Sequence, residues 1–203
     1  MGDFTALKQT KFGASFQLAI GNLFSFLPLT PNQVTFLSLL PALAGFYFAS
    51  QHLVFHSLFF FILSGALDAL DGAMARARKQ VSAKGAYIDG IVDRLVEFLL
   101  VLSFFFYPLP GFILTTGSAL ILILFFGSAM TSFATAYAEH RHVADSKKIA
   151  SQPGILPRAE RLILLFAALA FIPYSPVASS FILFSEAVLC TITFFQRFLF
   201  FSK

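Results

Sequence analysis

The chain has 203 residues, 58% of them hydrophobic and 12% charged, with a mean hydropathy of +0.81. Soluble domains hold nearer about 45–50% apolar residues, so a water-soluble globule is excluded and an integral membrane protein is implied. Fourteen basic and ten acidic residues leave a net charge of +4, the lone Cys190 excludes an intramolecular disulfide, and nothing points to a nucleic acid partner.

Residues 3–24 set Phe4, Leu7, Phe12, Phe16 and Ile20 against Lys8, Lys11 and Gln17 at a loose helical period. This predicts an amphipathic helix lying on the membrane surface. Pro28 and Pro31 follow without a small-residue cleavage pattern, so the stretch reads as mature protein and not as a signal. Thr30 then stands as a helix cap before Pro31, and an apolar run to Ser50 makes the first span. The second span runs from about Leu53 to Ala77, and the basic connection Arg78 to Lys84 leads to a third, Gly85 to about Tyr107. Pro108 and Pro110 mark a turn before the fourth, about Gly111 to Ala138. A charged stretch from Glu139 to Arg161 precedes a short fifth span, Leu162 to Ile172, and a sixth ends near Arg197. The expected fold is therefore an all-α integral membrane protein, with six transmembrane helices and an N-terminal interfacial amphipathic helix. Residues 1–203 form one membrane domain on this reading, with residues 31–203 as its six-helix core.

All fourteen Lys and Arg fall on one side of this plan, and the turns near Gln51, Tyr107 and Ser175 carry none. Basic residues accumulate on the cytoplasmic side, so both termini and the acidic stretch described next are expected there.

At the end of the second span and along the third lie Asp68, Asp71, Asp89 and Asp93, inside an otherwise apolar chain. Placing a charge in a hydrocarbon phase costs about 2.5–3.5 kcal/mol on insertion scales, so four carboxylates require a reason. At about 100° per helical residue, Asp71 lies about 60° from Asp68, and Gly72 and Ala75 fall within about 40° of Asp68. Gly85, Asp89, Asp93 and Glu97 form a stripe at four-residue steps. Two such helices folded together would bring the carboxylates into one place. An oxygen-only cluster suits hard cations such as Mg²⁺, Mn²⁺ or Ca²⁺. Small residues at Gly72, Ala75 and Gly85 leave room for a bulky ligand near the backbone, and Arg76 can pair with a phosphate. A cation transporter would also gather intramembrane acids, and would be expected to hold them near mid-bilayer on broken helices.

The string Asp68-x2-Asp71-Gly72-x2-Ala75-Arg76-x8-Gly85-x3-Asp89-x3-Asp93 resembles, at all eight fixed positions, the signature of the CDP-alcohol phosphotransferase family. The resemblance implies a membrane enzyme of phospholipid synthesis that transfers a phosphatidyl-type group from a CDP-lipid to the hydroxyl of a small polar alcohol, releasing CMP. It further implies Mg²⁺ or Mn²⁺, two ions, held by Asp68, Asp71, Asp89 and Asp93, with Asp93 as the base that takes the acceptor's proton. Asn32, Thr35, Asp68, Gly72, Ala75, Arg76 and Gly85 would contact the CDP-lipid. A homodimer among membrane lipids is implied as well.

Pro157-Arg158-Ala159-Glu160-Arg161 resembles the stretch that holds the acceptor's phosphate in members using inositol phosphate. Arg158 and Arg161, with Arg141, are the candidate clamp, although residues flanking a span are also basic for topological reasons. Such members carry basic residues near the end of the fourth helix, where this chain has Thr135 and Tyr137. Inositol phosphate is the leading acceptor and glycerol 3-phosphate the alternative. Glu186, in the middle of the last span, is expected to hydrogen-bond across a helix or dimer interface.

Overall fold

The computed structural model describes residues 28–203, whose regular elements are all helices, with no strand among them. The expected interfacial helix at residues 3–24 lies outside the described residues. Two compact units divide the chain, the first ending at Phe106 and the second covering Tyr107–Lys203.

In the first unit, α1 (Pro31–Leu37) opens with a reciprocal cap. Thr30 Oγ1 accepts from Gln33 N at 3.3 Å, and Gln33 Oε1 accepts from Thr30 N at 2.8 Å. The apolar run is then interrupted for one residue at Ser38 before α2 (Leu39–Ser50). The cause lies three residues on: Pro41 has no N–H to offer the Leu37 carbonyl, so the helical ladder loses a rung there. Ser64 Oγ donates to the Ser38 carbonyl at 2.8 Å, giving the interruption a partner from the next helix. That helix, α3 (Val54–Ala77), packs so closely on α2 that a Cβ added to Gly45 would lie 2.9 Å from the Phe61 ring. After the linker, Ser82 caps α4 (Ala83–Ser103) by accepting from Gly85 N at 3.0 Å, and a 3-10 turn at Phe104–Phe106 closes the unit.

The second unit begins with α5 (Thr116–Leu122), which passes through a π-helical segment at Ile123–Met130 into α6 (Thr131–His140). The short α7 (Ser146–Ala150), α8 (Arg158–Phe171) and α9 (Pro176–Phe201) follow. Among the described residues, three helices end alike without glycine. His52, Lys79 and His142 take φ values of 58°, 56° and 57°, and the next N–H closes back on the fifth residue behind it. This is the left-handed stop that glycine usually supplies, here at a cost of about 1–2 kcal/mol each.

Among the described residues, four helices are long and apolar enough to cross a membrane: Pro31–Ser50, Val54–Ala77, Thr116–His140 and Pro176–Phe201. The protein is an integral membrane protein on that composition. The other two expected spans exist as helices of a different kind. α4 carries Asp89, Asp93, Arg94 and Glu97, and α8, at 14 residues, rises only about 21 Å.

Candidate active site

The second half of α3 and the first half of α4 carry the acids. One carboxylate oxygen from each of Asp68, Asp71 and Asp89 lies within 4.8 Å of the others, Asp71 being buried and its two neighbours half-buried. Helical periodicity puts the first two on one side of α3, and the Ser82 cap starts α4 in the register that presents Asp89. Three carboxylates this close repel one another, and the arrangement is favourable with a positive charge among them. An all-oxygen donor set at this spacing fits a hard divalent cation.

The helix α1 supports this triangle. Thr35, buried, donates from Oγ1 to Asp71 Oδ2, which fixes that carboxylate's orientation. Asn32, one turn earlier, lies against the start of α4: a Cβ on Gly85 would approach Asn32 Oδ1 to 3.2 Å. Gly85 is thus the residue that lets α1 and α4 close together. Gly72 has a similar use, since Arg76 folds back across it with Nη1 3.3 Å from where a Cβ would stand. Ala75 is half-buried on the same helix. Arg78 ties the linker to the chain before α1 through Nη1 to the Leu29 carbonyl at 2.6 Å.

Asp93 is placed differently. It lies one turn beyond Asp89, 7% exposed, with Oδ2 3.4 Å from Arg94 Nη1, and it is outside the converged triangle. Glu97, a further turn along, is completely buried.

The candidates for the acceptor's phosphate all belong to the second unit. Arg158 opens α8, half-buried, and Arg161 is 4% exposed. Arg161 passes Gly127 in the π segment so closely that an added Cβ there would meet Arg161 Cδ at 3.1 Å and Cys190 Sγ at 2.6 Å. Arg141 is engaged elsewhere. It donates from Nε to Tyr137 Oη at 2.9 Å, stacks 5.3 Å from that ring, and lines an apolar cavity of about 300 Å³ between α6 and α9.

A further basic residue was absorbed into the topological reading of the sequence. Arg197, 7% exposed near the end of α9, directs Nη1 to the Thr131 carbonyl at 3.4 Å and Thr135 Oγ1 at 3.5 Å. Its signal was an arginine four residues inside the end of an apolar helix, too deep to be a simple flanking charge. Glu186 is completely buried in the middle of α9.

A helical membrane protein that gathers three carboxylates from two successive helices has the donor set of a hard-cation site, which metal-using membrane enzymes and cation transporters share. The CDP-alcohol phosphatidyltransferase family model matches residues 28–193, and the chain belongs to that family. Over 179 residues it is 35% identical to an archaetidylinositol phosphate synthase of Pyrococcus horikoshii, covering 88% of this chain and 86% of the relative. Its fold is that of the Mycobacterium tuberculosis phosphatidylinositol phosphate synthase. The crystal structure with CDP-DAG bound superposes with a TM-score of 0.76 at 23% identity, covering 92% of this chain and 94% of that one. The structure with manganese and citrate gives 0.76 at 24% identity, covering 92% and 89%. The protein is therefore a membrane transferase, and family membership replaces the transporter reading.

Proposed function

We propose that this enzyme transfers a diradylglycerol phosphate group from a CDP-lipid to a hydroxyl of inositol phosphate and releases CMP. The observation that carries the reading is the convergence of Asp68, Asp71 and Asp89 at the positions of the family signature, with α1 bringing Thr35 to Asp71 and Asn32 to Gly85. Inositol phosphate as acceptor is supported by the named activities of the archaeal and mycobacterial relatives.

A divalent cation, Mg²⁺ or Mn²⁺, held by Asp68, Asp71 and Asp89 supplies positive charge against the diphosphate of the donor. Two ions are proposed, with Asp93 completing the set. Arg76 pairs with the same diphosphate, and Asn32, Thr35, Gly72, Ala75 and Gly85 give the nucleotide end its space and polar contacts. The acceptor hydroxyl forms its bond to the phosphorus bearing the lipid alcohol. The bond from that phosphorus to the bridging oxygen breaks, and CMP leaves with the electron pair. Asp93 takes the hydroxyl's proton as the new bond forms, a role that its buried position one turn from Asp89 supports. Arg158 and Arg161 bind the acceptor's phosphate.

Six spans, a cytoplasmic site and termini, and a homodimer complete the proposal, supported by charge placement and family resemblance. The test is CMP release from a CDP-lipid with Mg²⁺ or Mn²⁺ and a panel of alcohols. Release triggered by inositol phosphate supports the reading. Release triggered by glycerol 3-phosphate and not by inositol phosphate replaces the acceptor.

A further inference from the structure

The segment 151–157, which delivers Arg158 and Arg161 to the start of α8, has the sequence Ser-Gln-Pro-Gly-Ile-Leu-Pro. Its two prolines have no N–H to offer, so the chain there cannot be held by ordinary helical hydrogen bonds. It is held by side chains of α9 instead. Leu156 N donates to Thr193 Oγ1 at 3.1 Å, and Ile155 N donates to Gln196 Oε1 at 3.2 Å. Residues 193 and 196 are three apart, so both acceptors stand on one face of α9 and capture two consecutive backbone N–H groups.

The contact is close and its groups are well satisfied. Thr193 is 1% exposed, and its hydroxyl donates to the Leu189 carbonyl at 2.8 Å while accepting from Leu156, so both of its hydrogen-bonding roles are filled. Gly154 is the point of nearest approach, where a Cβ would lie 3.2 Å from Thr193 Cγ2 and 3.6 Å from Arg197 Nη2. At the segment's start, Thr135 Oγ1 donates to Gln152 Oε1 at 2.6 Å, fastening it to α6. Leu156, the residue captured by Thr193, is 5% exposed and stands two positions before Arg158.

We infer that Thr193 and Gln196 are positioning residues for the acceptor site: they latch the 151–157 segment to α9 and so set where Arg158 and Arg161 present their guanidinium groups. A guanidinium reads a phosphate through directional hydrogen bonds, so a displaced backbone weakens acceptor binding while leaving the carboxylate chemistry intact. The inference rests on the assignment of Arg158 and Arg161 to the acceptor's phosphate.

The experiment is steady-state kinetics of CMP release by the full chain in detergent or lipid, varying inositol phosphate and the CDP-lipid separately. Thr193→Val keeps the side chain's shape and removes its hydroxyl. It should raise the acceptor KM about tenfold, the loss of one buried hydrogen bond, with kcat and the donor KM little changed. Thr193→Ser, which keeps the hydroxyl, should restore the acceptor KM. Gln196→Leu, at a half-buried position, should raise it by a smaller factor and decides the matter if Thr193→Val does not fold. Arg161→Gln is measured alongside. If it raises the acceptor KM while Thr193→Val and Gln196→Leu do not, the latch is overturned and the acceptor assignment stands. If Arg161→Gln leaves that KM unchanged, the assignment itself fails. A fall in kcat with both KM values altered together would mean general structural damage and would also overturn the latch.

Discussion

The two units of this protein carry their chemistry in opposite ways. In the first, the acids lie at 68, 71 and 89, on two helices joined by a five-residue linker, and their supporters Asn32 and Thr35 share one short helix. In the second, the ordering of one basic segment draws on residues 127, 135, 152, 161, 193, 196 and 197, spread over the π segment, α6, α8, α9 and the connection before α8. A cation needs several ligands at near-fixed distances from one point, and adjacent helices supply them by periodicity. A phosphate-binding arginine needs a backbone placed correctly, and many weak distant contacts can supply that. Damage to the first unit should therefore be abrupt and fall on kcat. Damage to the second should be graded and fall on the acceptor KM.

The largest expected effect is in the first unit. Asp89→Asn or Asp71→Asn removes a ligand charge from the triangle and should lower kcat by at least about 10²–10³-fold, read as CMP release at saturating substrates. A variant retaining near-normal kcat would break the comparison at its strongest point. Next, Arg161→Gln should raise the acceptor KM about 10–100-fold, the equivalent of one or two charge-assisted hydrogen bonds, with kcat changed much less. Smaller still, Gly127→Ala forces a Cβ to 2.6 Å from Cys190 Sγ and should destabilise the protein by about 1–3 kcal/mol in thermal unfolding. Adding Cys190→Ala should recover part of that loss, because the obstructing sulfur is gone. Thr30→Ala, which removes the α1 cap, should cost about 1 kcal/mol of stability in the same assay.

Legibility in the sequence followed the same division. The acidic signature, the Thr30 cap with Pro31, and the small residues at Gly72 and Gly85 could be read because each is a local pattern with a geometric meaning. Gly72 and Gly85 were read as space for a ligand; in the protein they also admit Arg76 and Asn32. The interruption at Ser38 was legible in principle, since Pro41 announces a missing donor, but the apolar run masked it. The π segment at 123–130 had no local signal, as its residues would suit an α-helix equally well. The left-handed stops at His52, Lys79 and His142 were hidden because none is glycine. Arg197 was taken for a topological charge, and the Thr193 and Gln196 contacts join residues about 40 apart, which no spacing rule reports.

The most direct test of the central claim is CMP release from a CDP-lipid with inositol phosphate, after chelation and then on titration with Mn²⁺, in the wild type and in Asp89→Asn. The account predicts no release under chelation, recovery with Mn²⁺ in the wild type, and no comparable recovery in the variant. Release that persists under chelation, or a variant that recovers as fully as the wild type, would contradict it.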